Sequence, residues 1–221
     1  MEAQLIPGER RTAHQMVRDS LRGAILDGTL PAGSRLVQAD IAARLRVSTT
    51  PVREALRDLA SEGLIRLDAH RGAVVRETSL TEVREIYLIR RLLEPEAVRL
   101  AAAEMSPEVL SALERLHADL EDVRDPGRWV ALSREFHRLL NSAAGLDRLA
   151  EILNHLDDNA AAYATVTADA GHREQGNRYR QRLLEACRDG DGESAAKLVT
   201  EHLQQTLTMM ERSVPHPRLN T

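Results

Sequence analysis

Aromatic residues are nearly missing from this chain: one Trp, one Phe and three Tyr make up 2% of its 221 residues. Sheet proteins lean on aromatic and β-branched side chains, so this poverty, beside plentiful Ala and Leu, points to helices packed on helices. Lysine is scarcer still. Lys197 stands alone and arginine carries nearly all the positive charge, which reads first as a coding bias. Cysteine is confined to Cys187, excluding an intrachain disulfide and suiting a reducing compartment. Within the run LLEAC it reads as a small buried hydrophobe rather than a reactive thiol. No apolar run approaches the ~20 residues that span a bilayer, and the opening MEAQLIPGERR has no apolar signal region. The expectation is a soluble, cytoplasmic protein with no membrane partner.

Hydrophobic residues, at 43%, are ample for a core, and the length suits one large domain or two small ones. A net charge of −4 excludes a uniformly basic nucleic-acid binder, but the charge is uneven. Residues 1–77 hold twelve Arg against ten acids, and the remainder holds eighteen basic residues against twenty-four acids. A mildly basic front and an acidic back allow a DNA-contacting module joined to something else.

Helical periodicity runs over about 12–27 through Val17, Leu21, Ala24 and Ile25, and DGTLPAG then makes a turn. QADIAARL is a short second helix. Ser48 is placed to cap a third, where Pro51 is tolerable because first-turn amides lack intrahelical partners. Gly63 suits the position just past its end. The period then changes: 64–67 and 73–76 read as two strands joined around His70, Arg71 and Gly72. Three helices and a β-hairpin spell a winged helix-turn-helix over 1–77. From a predicted S-x-x-E capping box at Ser79 and Glu82 onward, every segment of 78–221 reads helical. About six helices imply an antiparallel bundle, so the fold class is mainly α.

On the third helix Val52, Ala55, Leu56, Leu59 and Ala60 share one side. Thr49, Thr50, Arg53 and Arg57 take the other. N-terminal residues of such a helix reach base edges in the major groove, where arginine can pair with guanine O6 and N7. The same pattern also suits a solvated, capped helix whose arginines pair with Glu54 and Asp58.

The stretch ILDGTLPAGSRLVQADIAARLRVSTTPVREALRDLASEGLIRLDAHRGAVV resembles the DNA-binding domain of the GntR family of bacterial transcriptional regulators. The phrases G.L.PG..L, S.TPVREAL..L...GL and RGA.V stand in register over about fifty residues. The resemblance implies DNA contacts from Ser48, Thr49, Thr50 and Arg53, with His70, Arg71 and Gly72 forming the wing. Two positions depart from it. Many members carry arginine where Thr49 stands, and a charged residue near Ala39. Thr49 cannot make a bidentate guanine contact, so operator preference should differ.

The second half is similar to the FadR-type, FCD effector-binding domain in EIYLIRRLLEPEAVRLAA, FHRLLNSAAG, LLEACRDGD and AAKLVTEHL. That likeness implies a cavity for a small, carboxylate-bearing metabolite, a divalent metal (Zn or Ni) held by one Asp and three His, and a homodimer. Carried over by position, His137 and His202 match two metal-binding histidines. Ser133 replaces the Asp, and Arg180 replaces a third ligand. Two imidazoles alone make a poor metal site. The bland alternative makes them pocket histidines bonded to water, ligand or neighbours. Arg180 suggests direct pairing with an anionic ligand. Arg90 matches an arginine that faces ligand in these domains, and its alternative role is a surface pair with Glu94. The expected effector site is therefore Arg90, His137, Arg180 and His202.

No nucleophile elbow, phosphate loop or HExxH motif occurs, so no catalytic residue is expected. The reading is a ligand-responsive regulator, expected to repress, that binds a near-palindromic double-stranded DNA operator as a homodimer. A metal sensor with the same pocket and, further off, a metal-dependent hydrolase using His137 and His202 are the rivals.

Overall fold

The computed structural model describes residues 12–68, 72–77, 79–167 and 170–213, with side chains described except at 161–167, 170, 172 and 213. It begins with α1 (Ala13–Leu26), β1 (Arg35–Leu36), α2 (Gln38–Leu45), α3 (Thr49–Ser61), β2 (Ile65–Asp68) and β3 (Gly72–Val75). Thr12 opens α1 with a reciprocal capping box to Gln15. α3 forms because Val52, Ala55, Leu56 and Leu59 recur at helical spacing and are all buried, packed against α1 and α2. It stops at Gly63, whose φ of +76° is open to a residue without Cβ. A Cβ there would also lie 3.2 Å from the Asn159 side chain, so this turn presses on a later part of the chain.

The sequence pattern leads to a two-stranded hairpin, and the structure adds a third strand. β1 pairs antiparallel with β3 (Leu36 opposite Ala73), and β2 pairs with the other edge of β3 (Ile65 opposite Val75). Two residues are too few to show an alternating pattern, which is why β1 was not legible in SRLVQ. Val17, Leu21, Ile25, Leu56, Leu59, Ile65 and Val75 close this first core.

Six helices follow: α4 (Leu80–Ala103), α5 (Pro107–Asp122), α6 (Pro126–Ser142), α7 (Asp147–Thr167), α8 (Ala170–Arg188) and α9 (Gly192–Ser213). Ser106 and Asp125 cap α5 and α6, each with proline in the first turn. The expected capping box at Ser79 is half made. Its side chain accepts from the Glu82 amide, but the Glu82 carboxylate turns to Arg76 at 2.8 Å. α4 lies along α9, and the remaining helices pack pairwise around a core of Phe136, Leu140, Leu183, Leu203 and Met210. On α4 Ile86 and Ala97 are buried but Ile89 is exposed, and Arg90 and Glu94 take buried places beside them. Contacts between α1 and α7 join the two cores. No described helix is long and apolar enough to cross a membrane.

Candidate functional site

Two surfaces carry candidate chemistry. The first is the N-terminal end of α3. Ser48 sits at the N-cap but makes no side-chain capping bond, and Ser48, Thr49, Thr50, Arg53 and Arg57 are all exposed. Pairing of these arginines with Glu54 and Asp58 does not occur among the described residues. Asp58 instead lies 2.7 Å from His14 Nε2. Two cations and three hydroxyls are thus left facing outward beside first-turn amides that lack helical partners. Gly72 begins β3 with φ +76°. His70 and Arg71 lie outside the described residues.

The second is a cavity of about 50 Å³ inside the bundle, walled by Tyr87, Arg90, Trp129, Ser133, His137 and Arg180 among others, with His202 at its side. Four of the five aromatic residues gather here: Tyr87 and Trp129 line the cavity, while Phe136 and Tyr179 back it. Arg180 projects inward from α8 and is 1% exposed. One guanidinium nitrogen donates to Ser133 Oγ and another reaches Asn177 Oδ1 at 3.4 Å. The guanidinium lies 5.1 Å from the Trp129 ring and 5.7 Å from the Phe136 ring. No carboxylate pairs with it among the described residues, and its Nε is buried without a hydrogen bond. Burial pulls its pKa down to about 10, so it stays cationic at neutral pH. Gly176 makes the room, since a Cβ there would stand 2.9 Å from Arg180 Nη1.

Arg90 also lines the cavity and is buried, but its charge is answered. Glu94 receives two of its N–H groups, at 2.8 and 3.3 Å, and Asp157 lies 3.2 Å from Nη1. Burial alone would lower its pKa, yet these two carboxylates hold it above the ordinary value. It pairs with Glu94, as one reading had it, but in the core rather than on the surface. Asp157 gains as well: Arg90 keeps it below the usual carboxylate range despite burial.

His137 is 6% exposed, and burial drives its pKa to about 4, outweighing Glu94 and Asp157. It is a neutral imidazole at physiological pH. Tyr179 and His202 stack at 3.8 Å, and the His137 and His202 rings are 6.2 Å apart.

These residues do not fit the divalent metal that the resemblance implies. Among the described residues no three His, Cys, Asp or Glu side chains converge as a metal requires. Glu94 approaches His137 only to 3.9 Å, and both its oxygens are engaged by Arg90. A cationic guanidinium bonded to Ser133 is the wrong charge beside a cation.

One cluster was not anticipated. Asp158 on α7, 2% exposed, accepts hydrogen bonds from Arg134 and Arg138 on α6 and from Arg22 on α1. Arg134 also lines the cavity. Periodicity did not mark it, because Asp158 falls five residues after Leu153 and two before Ala160, to one side of the apolar stripe of α7, and only packing against α6 and α1 buries it. An acid there must find cations inside the fold.

Residues 13–75 match the family described as bacterial regulatory proteins, gntR family, and residues 85–205 match the FCD domain. The uncharacterized HTH-type transcriptional regulator BphR of Paraburkholderia xenovorans is 32% identical over 87% of this chain and 82% of its own length. A probable D-xylose utilization operon transcriptional repressor of Paenarthrobacter nicotinovorans is 31% identical, with 88% and 87% covered. Among solved structures, E. coli McbR/YncC superposes with a TM-score of 0.83 at 25% identity, covering 92% of this chain and 99% of that one. These families and relatives are transcriptional regulators, not enzymes. The chain belongs to the GntR family of transcriptional regulators, in the branch that carries an FCD domain.

Proposed function

We propose that this regulator is a repressor whose DNA affinity is set by a small carboxylate-bearing metabolite bound in the bundle cavity. The observation that carries the reading is Arg180: a buried guanidinium without a carboxylate partner, facing a cavity, is a binding group awaiting an anion. His137, as a neutral imidazole, supplies a hydrogen bond to the ligand, and His202 closes the side wall. Arg90 shapes the cavity while its charge stays with Glu94 and Asp157. Residues 78–221 form the effector-binding and dimerisation unit. Leu88 and Leu92, one turn apart and exposed on α4, offer an apolar face to a second copy.

Residues 1–77 form the DNA-binding unit. Ser48, Thr49 and Thr50 bond phosphates or touch thymine methyls, Arg53 reads a guanine, and the wing of His70, Arg71 and Gly72 rests on the neighbouring backbone. A homodimer sets two such helices about 34 Å apart on a near-palindromic operator. The protein acts in the cytoplasm, where that DNA is.

The test is selection of DNA from a random duplex pool by the purified chain. Salt-titrated binding of the selected site is then repeated with lactate, malonate and citrate, and with zinc or nickel. Arg53→Ala is expected to cost about 1–3 kcal/mol on the selected site and to relax one base position in each half. Failure to enrich any sequence refutes the reading. Stoichiometric metal surviving dialysis would instead establish the metal sensor.

A further inference from the structure

We propose that Asp158 is the clasp through which charge in the cavity reaches the reading helix, with Arg134 as the shared member. The link to a cavity anion rests on the effector reading above; the clasp itself rests on geometry alone. Asp158 holds three guanidiniums at once: Arg22 from α1, and Arg134 and Arg138 from α6, the last at 2.7 and 3.0 Å from its two oxygens. Beyond Asp158, Arg22 continues to Glu62 at 3.0 Å, and Glu62 is the C-cap residue of α3. An unbroken run of charge-assisted contacts therefore leads from the cavity wall through Arg134, Asp158, Arg22 and Glu62 to the helix that carries Arg53.

The cluster is over-supplied with positive charge. At Asp158 one buried carboxylate is divided among three cations; Glu62 answers Arg22 in part and Asp157 lies near Arg134 and Arg138, yet the cations still crowd one another at the shared oxygens. Arg134 shows the strain most: burial, against the pull of Asp157 and with Arg138 and Arg22 adding to it, lowers its pKa to about 10. It is also the cation that borders the cavity, where Arg180 already lacks a carboxylate partner. An anion that binds beside Arg180 attracts Arg134 as well. Asp158 is then left to Arg22 and Arg138, with less repulsion at Arg22. The Arg22 contact tightens, and α1 is held more firmly against α7. Gly63, whose missing Cβ faces Asn159 next to Asp158, gives the two units the close approach this needs.

A cluster that merely glued the units together would behave differently, and the difference is measurable in the full chain without ligand. The readout is hydrogen exchange of the α1 amides over 18–26. Arg22→Gln and Asp158→Asn break the clasp and should speed exchange roughly fivefold or more. Arg134→Gln should slow it, because removing this competitor does what an anion does. Plain glue predicts faster exchange in all three variants, and that result overturns the proposal. Arg22 lies at the half-exposed edge of the cluster, so Arg22→Gln remains informative if Asp158→Asn fails to fold.

The second arm titrates malonate and lactate against the selected DNA site. In the wild type the effective anion should shift operator affinity roughly 5-fold or more. In Arg22→Gln the shift should fall below about twofold, while the anion still raises Tm. An undiminished shift in Arg22→Gln overturns the coupling. If no DNA is selected, or no anion acts on the wild type, the proposed function fails, and the exchange comparison still decides the clasp.

Discussion

Replacing Arg180 by methionine should make the protein more stable and deaf to its effector. A side chain 1% exposed has given up nearly all its hydration, and no carboxylate forms an ion pair with it among the described residues, Asp157 acting only from a distance. Its pKa of about 10, against an ordinary 12.5, corresponds to about 3 kcal/mol lost from folding at neutral pH. The sign follows from linkage. A cation whose pKa is depressed in the fold carries the full penalty below that pKa and sheds it only as pH rises from 10 toward 12.5. Against this gain, Arg180→Met forfeits the hydrogen bonds to Ser133 and Asn177 and the stacking on Trp129 and Phe136. It also leaves a small void. These losses together amount to about 1–2 kcal/mol, since Met keeps the length and apolar stem of the side chain. The expected balance is a gain of about 1–2 kcal/mol in urea unfolding, read as a higher midpoint at unchanged slope. Carboxylates that raise the Tm of the wild type should leave the variant unmoved. Arg180→Lys should bind them weakly, for want of the planar fork. A variant less stable than wild type by more than about 1 kcal/mol, or one still stabilised by the same anion, would refute the reasoning.

His137 should make stability pH-dependent. Its pKa of about 4 lies below the ordinary 6.5, so its contribution is full above 6.5 and is lost as pH falls toward 4. Between pH 7 and 5 this one group should cost about 2 kcal/mol, a slope that His137→Gln removes in paired denaturation curves. Leu59 is fully buried in the N-terminal core, and Leu59→Ala should lower stability by about 3 kcal/mol in urea titration while leaving the bundle's near-UV signal intact. Arg46, between α2 and α3, has φ +54°, a left-handed conformation unfavourable for a residue with Cβ. Arg46→Gly should raise the unfolding free energy by about 0.5 kcal/mol, and a loss would show that the arginine side chain has partners that outweigh its backbone strain.

The helices were legible because their caps and apolar spacing are local. Ser106–Pro107 and Asp125–Pro126 mark starts that the structure keeps, and Gly63 marks an end. β1 was not legible, since a two-residue strand exists only through its partner β3. In the cavity, the residue types were readable but their pairing was not. Arg90 and Arg180 look alike in sequence, each a cation on a helix stripe that is otherwise apolar. Only the fold shows that Glu94 and Asp157 meet the first and none meets the second. The Asp158 cluster was hidden for a related reason, because its three arginines come from two helices and stand 136, 24 and 20 residues from Asp158 in sequence.

That contrast separates paired charge from unpaired charge within one bundle. A buried ion costs several kcal/mol unless it is paired, so unpaired ones do not persist for packing's sake. Arg90 satisfies the rule within its own wall and could be exchanged, together with Glu94 and Asp157, for apolar residues at little cost to the fold. Arg180 breaks the rule, and its surroundings are adapted to let it do so. Gly176 withholds a Cβ that would collide with Nη1, and Ser133 offers a hydroxyl where a carboxylate would have neutralised the charge. Serine at 133 and arginine at 180 therefore act together. With an acid at 133, the guanidinium would be consumed by an internal ion pair; with serine, its charge stays available to whatever anion enters the cavity.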